Sequence, residues 1–240
     1  MGDPHGVDAA FDLQMTLRCH VAMTVRRALL PSHLRAEHSM AMPAIRRRWT
    51  TADVRGLIDA SRPWPRYELI GGELLVTPAP GGVHQIALVE LIVMLNAYLE
   101  RAKIGVVVSS PADLELRSGT ITPPDVVVIP ANSVAADDDL RWSDVKSLLL
   151  AIEIISPSSV RTDRVEKRDF YLDVGVPEYW VVDVDARMIE RWTPTQERPV
   201  IVRAELTWSP AGAPALVVDV GALSDRIAAK LGSLKRGDRG

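Results

Sequence analysis

The sequence predicts an α/β (α+β) domain in which helices flank one mixed central sheet. Three observations carry this: short Val/Ile/Leu runs bounded by Pro and Ser, an element order of strands, helix, several strands, helix, strands, and one long helix-periodic stretch near the middle. Two of the apolar runs each hold a single acid. They are Pro124-Asp125-Val-Val-Val-Ile129, and Leu148-Leu-Leu-Ala-Ile152-Glu153-Ile-Ile155 followed by Ser156-Pro157. Central strands covered on both faces are near-continuous apolar runs, and a carboxylate among them is costly unless a cation neutralises it. Two such acids on neighbouring strands point to a metal site.

The elements follow in order. Thr50-Thr51-Ala-Asp53 opens a helix that runs to about Ala60, before Pro63 and Pro65. Tyr67–Ile70 and Glu73–Val76, joined by Gly71-Gly72, form a hairpin, because a two-residue turn needs positive φ angles. Pro78, Pro80, Gly81 and Gly82 make a loop. From His84 to about Lys103, apolar positions 86, 89, 92, 93, 95 and 99 recur at helical spacing. Strands are expected at Val106–Ser109, Asp113–Arg117, Asp125–Ile129 and Leu148–Ile155, with the acidic Asp137-Asp138-Asp139 in a solvated loop. Asp163 and Glu166 fit a capping box for a helix that ends at Gly175. Positions 163, 167, 170, 171 and 174 share one face of that helix, which sets Lys167 beside Phe170 and Tyr171. Glu178–Asp183, Met188–Thr193, Val200–Leu206 and Ala215–Val220 supply further strands, and a helix over about Leu223–Leu231 closes the domain.

Composition bounds the function. The chain has 240 residues, 47% of them hydrophobic, enough for one sizeable core. Residues 1–42 read as a peripheral, loosely ordered extension, and 43–240 as the folded domain. Cys19 is the sole cysteine, which excludes an internal disulfide and a C-x-x-C zinc site. Ile86–Leu99 is interrupted by Glu90 and Asn96 and is shorter than a membrane span, so no membrane association is expected. No basic region leads into an apolar one at the N-terminus, and the cytoplasm is the expected compartment. A net charge of -3 argues against bulk electrostatic coating of nucleic acid. Two local basic groups, Arg46-Arg47-Arg48 and Arg161, Arg164, Lys167, Arg168, are candidates for phosphate contact or plain solvated charge. No Gly-rich phosphate loop, Gly-x-Ser-x-Gly elbow or His-Glu-x-x-His helix is present.

Phosphodiester hydrolysis needs an activated water and positive charge where the transition state develops negative charge. Mg²⁺ supplies both while bound to one or two carboxylates, and Asp125 and Glu153 offer that ligand set. Lys167, on the helix after Glu153, is placed to orient water or stabilise charge. Taken singly, each has a plainer reading: Asp125 as a turn residue, Lys167 as a helix-surface cation, His84 as a polar helix start, Glu73 as a surface-strand residue.

The combination resembles a known group. Pro124-Asp125, Glu153 within Ile152-Glu-Ile-Ile-Ser156-Pro157-Ser158, Asp163 with Glu166-Lys167, Tyr171, and Gly175-Val-Pro177-Glu-Tyr-Trp180-Val-Val-Asp183 are similar to the putative restriction endonuclease family of Uma type, in the PD-(D/E)XK nuclease superfamily. Tyr67-Glu68-Leu-Ile-Gly-Gly-Glu73-Leu, the proline-rich loop and His84 extend the resemblance over roughly residues 45–195. It implies a restriction-endonuclease-like fold, a Mg²⁺ or Mn²⁺ ion held by Asp125 and Glu153, and DNA as substrate, with a homodimer as a reasonable assembly. Glu73 and His84 match an N-terminal motif that flanks the metal. The superfamily lysine, two residues after the second acid, is replaced here by Ile155, and Lys167 matches a relocated position on the next helix. A nuclease-fold interaction module without catalysis, and a nuclease acting on RNA or another phosphodiester, are the alternatives.

Overall fold

Six strands build the central sheet, in the spatial order β3-β4-β5-β6-β7-β8. They are β3 (Gly105–Ser109), β4 (Val126–Pro130), β5 (Leu150–Ile154), β6 (Tyr179–Asp183), β7 (Met188–Trp192) and β8 (Val200–Val202). Neighbours pair antiparallel except β5 and β6, which are parallel. A parallel pair requires a crossover, and the segment after Glu153 supplies it. Its first part, Thr162–Lys167, is a π-helical turn, and α3 (Arg168–Asp173) continues it. The computed structural model describes residues 48–60, 64–109, 114–133, 142–157, 159–210 and 212–237. The expected extension over residues 1–42, Arg46 and Arg47 of the first basic group, and the Asp137-Asp138-Asp139 loop lie outside them.

Both faces of the sheet are covered, as the apolar runs require. Val126, Val128, Leu150, Ile152, Trp180 and Val182 pack with Leu91 and Leu95 of α2 (Gly82–Ala102), and with Leu223 and Ile227 of α4 (Val220–Gly237). Strand neighbours of opposite parity, Val127, Ile129, Ala151, Tyr179 and Val181, pack with Phe170 and Tyr171 of α3 on the other face. This is the period-2 alternation of a two-faced strand. Leu91→Ala, at a fully buried position, is expected to cost about 2–5 kcal/mol in denaturant unfolding.

Glu90, which interrupts the apolar pattern of α2, is buried and bound by Arg226 at 2.9 Å and by Lys230, both on α4. Hydrogen bonds from Lys230 and then Arg226 outweigh burial and hold its carboxyl below the ordinary value. The acid therefore clamps two helices together. α2 is long and apolar enough to cross a membrane, but here its apolar side packs in the domain core.

Two hairpins flank the sheet. β1 (Arg66–Ile70) and β2 (Glu73–Thr77) pair around Gly71 and Gly72, whose φ angles of 59° and 83° fit the expected turn. Leu69 bridges to Ile121 and fixes this hairpin beside the loop that leads to β4. β9 (Glu205–Trp208) and β10 (Leu216–Asp219) form the second hairpin and bury Trp208 in the core. At the start of α1 (Thr51–Ala60), Thr50 Oγ1 accepts from the Asp53 N–H at 3.2 Å and Asp53 Oδ2 accepts from the Thr50 N–H at 3.0 Å, a reciprocal cap.

Two expectations are corrected. Residues 114–117 are not a strand: Leu114 and Leu116 alternate because a loop seats them against the α3-side core. Val200–Leu206 is divided between β8 and β9. Gly105, at the start of edge strand β3, lies so close to the Ile129 carbonyl that a Cβ would collide with backbone. Gly105→Ala is expected to destabilise by about 1–3 kcal/mol, read as a lower denaturant midpoint.

Candidate active site

Asp125 stands one residue before β4, and Glu153 lies near the end of β5. Because Val126 pairs with Ile152 in antiparallel register, Asp125 falls opposite Glu153, one rung beyond the paired strands. Cross-strand neighbours of this kind share a face, with Cβ atoms about 5 Å apart. The register therefore brings the two acids together on the face that α3 covers. Lys167, at the end of the π-helical turn, sends Nζ to Glu153 Oε1 at 2.9 Å. A π turn inserts an extra residue in the helical frame, and such turns recur at functional sites.

A third acid meets them. Glu68 of β1 is buried, with Oε2 3.0 Å from Lys167 Nζ, and Asp163 Oδ1 is 3.7 Å away across one turn. Glu68 is held by hydroxyls: Thr122 donates to Oε2 at 2.8 Å, and Thr77, diagonally across the hairpin, donates to Oε1 at 3.3 Å. Tyr171 donates to the Thr122 carbonyl at 2.5 Å and Tyr179 to the Asp163 carbonyl at 2.8 Å, which fixes the crossover segment on the sheet. Asp163 is thus no N-cap. Its side chain turns inward to Lys167, and the expected capping box with Glu166 does not form.

His84 sits in the first turn of α2 and its Nε2 lies 2.9 Å from Asp125 Oδ2; we assign the proton to Nε2. The Ile154 N–H donates to the same oxygen at 2.9 Å, while Asp125 Oδ1 faces Arg66 at 3.8 Å. All these side chains, Glu68, His84, Asp125, Glu153, Asp163, Lys167 and Arg66, line one cavity of about 270 Å³. Glu73 does not line it. On β2 it pairs with Ile70, two rungs toward the turn from Glu68 and roughly 7 Å along the strand, and it is exposed. Glu68 was missed as a site residue. The signal was available, because Arg66 and Glu68 at alternate positions give β1 a charged face.

Three acids around one ammonium set the electrostatics. Burial pushes Glu153 well above the usual carboxylate range; Lys167 opposes this, and Asp125, Asp163 and Glu68 add to it. Burial would lower Lys167, but Glu153, Glu68 and Asp163 hold it well above its ordinary value. Burial and like charge thus favour the neutral form of Glu153, while the surrounding acids favour the charged form of Lys167. Burial raises Asp163 to about 6, opposed by Lys167 and by a Ser159 hydrogen bond. At Asp125 burial is outweighed by the His84 hydrogen bond and charge, the Ile154 N–H and the charge of Lys167, so its carboxyl lies below the ordinary value.

The Asp163 shift has a sign that can be measured. Between its ordinary value of 3.8 and about 6 the folded state binds more protons than the unfolded state, so stability falls as pH rises through that window. The loss attributable to Asp163 is about 3 kcal/mol, at about 1.4 kcal/mol per unit. Asp163→Asn should flatten that part of the stability profile in urea titrations from about pH 4 to about pH 7. An unchanged profile would refute this account.

Among the described residues no three His, Cys, Asp or Glu side chains converge in a ready-made metal cage. The donor set is two carboxylates on one wall of a cavity, each with one oxygen already engaged, by Lys167 at Glu153 and by His84 and Ile154 at Asp125. That set fits a hard divalent cation that keeps several waters. The second basic group is mostly committed inside the molecule: Arg164 binds Glu190 at 2.6 Å and Asp183 at 3.3 Å, Arg168 pairs with Asp169 and covers Trp192, and Lys167 is buried.

Comparison with known proteins places the chain in a family and gives a match to its fold. The family model described as Uma2, putative restriction endonuclease, matches residues 55–224, more than half of the chain. The chain belongs to the Uma2 family. A crystal structure of a putative nuclease of the DUF820 group from Anabaena variabilis shares the fold, with a TM-score of 0.59 and 21% identity over 72% of this chain and 98% of that one. No curated protein matches this chain. The Uma2 assignment spans α1 to the start of α4, and so includes every residue of the cavity.

Proposed function

We propose that this Uma2 protein is a Mg²⁺- or Mn²⁺-dependent DNA endonuclease. The observation that carries the reading is the meeting of Lys167 with Glu153 in the same cavity as Asp125. Asp125 and Glu153 would hold the cation, which when bound supplies a Lewis acid that lowers the pKa of water and neutralises phosphate charge. His84 and the Ile154 N–H fix the Asp125 carboxylate in orientation, as outer partners of ligands commonly do. Lys167 anchors Glu153 and places positive charge where the phosphodiester becomes more negative. Glu68 keeps Lys167 charged and pointed inward; it is a positioning residue. Cutting both strands of a duplex calls for two such cavities, and a homodimer supplies them.

The test is nicking of supercoiled DNA with Mn²⁺ or Mg²⁺, alongside calorimetric Mn²⁺ titration. Wild type should nick and bind metal; Asp125→Ala should do neither, while retaining its circular dichroism spectrum. Equal cleavage by Asp125→Ala would overturn the reading, and folded wild type that binds no Mn²⁺ would favour an interaction module instead.

A further inference from the structure

A second chamber opens beside the cavity just described. It has a volume of about 460 Å³, within the roughly 300–1,000 Å³ of small-ligand sites, and it shares Trp64, Arg66, Ala79, Pro80, His84 and Asp125 with the carboxylate cavity. Beyond these its walls are Leu88 and two neutral polar side chains, Gln85 on α2 and Ser109 at the end of β3. The Arg66 guanidinium lies over the Trp64 ring, 4.6 Å from its centroid, while its Nη1 reaches toward Asp125 Oδ1 at 3.8 Å. One side chain thus joins an aromatic platform to the metal-binding wall.

This chemistry selects its occupant. A phosphate alone is a poor fit, since among the described residues that line it the chamber offers one arginine, Arg66, and no lysine, and sets Asp125 beside that arginine. A flat group with apolar faces and hydrogen-bonding edges fits better. Base faces stack on aromatic rings and on arginine planes, and a neutral amide and hydroxyl can donate to or accept from a base edge. In a duplex, stacking covers the faces of a base and pairing its edge, so only an unstacked, unpaired nucleotide can enter a chamber of this kind. We propose that the Trp64–Arg66 chamber receives one unpaired nucleotide of the DNA substrate and so delivers the adjoining phosphate to Asp125 and Glu153.

This inference rests on the endonuclease reading, and the test separates the two. The probes are a fully paired DNA duplex and the same duplex carrying one extrahelical fluorescent adenine analogue. Binding is measured with Ca²⁺ and cleavage with Mn²⁺. Wild type should bind the bulged duplex about tenfold more tightly than the paired one, with the analogue's emission quenched. Trp64→Ala should remove the preference and the quenching, and Trp64→Phe should restore most of both. Ser109→Tyr, at an exposed edge-strand position, should remove the preference by filling the chamber, even if Trp64→Ala proves unfolded. Equal affinity of wild type for both duplexes, or a preference that survives Trp64→Ala and Ser109→Tyr, overturns the inference. Bulge-selective binding without any cleavage upholds the chamber and defeats the endonuclease reading; cleavage without selectivity does the reverse.

Discussion

Lys167→Met should lower the stability of the metal-free protein at neutral pH by about 3–5 kcal/mol and abolish DNA cleavage. Removing one partner of a buried ionic cluster leaves uncompensated charge, which is the expensive way to break such a cluster. Here Lys167 is surrounded by Glu153 at 2.9 Å, Glu68 at 3.0 Å and Asp163 at 3.7 Å, and all four groups are buried. Without the ammonium the three carboxyls can lower their energy by taking up protons. Because Lys167 is what holds Asp163 down to about 6, its loss moves that carboxyl higher, and the stability deficit should therefore shrink as pH falls from 8 toward about 6. Denaturant unfolding of both proteins at pH 5 and pH 8 measures this, and a deficit that is constant with pH would contradict it. A helix-surface lysine would give neither the deficit nor its pH dependence, since exposed ion pairs contribute about 0–1 kcal/mol.

Glu153→Gln should have the opposite profile. The amide oxygen can still accept from Lys167, while Glu68 and Asp163 continue to compensate the ammonium, and the cluster sheds one negative charge. Metal-free stability at neutral pH should be equal to or greater than wild type, because the folded state already holds the Glu153 carboxyl well above its ordinary value. Cleavage should fall by more than the roughly 100-fold that loss of a metal's outer partner costs. Calorimetry should show weakened Mn²⁺ binding. A stable Glu153→Gln protein with wild-type nicking would remove Glu153 from the proposed metal site.

Much of this site was legible because burial and charge conflict visibly in a sequence. Asp125 and Glu153 stood out as acids in apolar strands, and the antiparallel register of β4 and β5 makes them neighbours. Lys167 could be placed from its helical face, although the 3.6-residue period does not reveal that Thr162–Lys167 is π-helical. Asp163 was misread because a capping residue and an inward ligand for a lysine four residues later have the same local signature. Glu68 escaped for a different reason. The charged face it shares with Arg66 was visible, but its partners Lys167 and Thr122 lie 99 and 54 residues away, so no local pattern says what that face meets. Leu114 and Leu116 mimic a strand since alternation registers which side chains are buried, and a loop pressed on a core can share it.

The span of 99 residues between Glu68 and Lys167 also bears on when the chain becomes reactive. Contacts of such separation carry a large loop-closure cost and form only when much of the intervening structure already exists. Until β1 docks through Leu69 and Ile121, the ammonium lacks one of its carboxylate partners and the cavity lacks a wall. A chain in which β1 has not docked therefore carries the acids without the enclosure, so the cavity on which the proposed activity depends arrives only with completion of the fold.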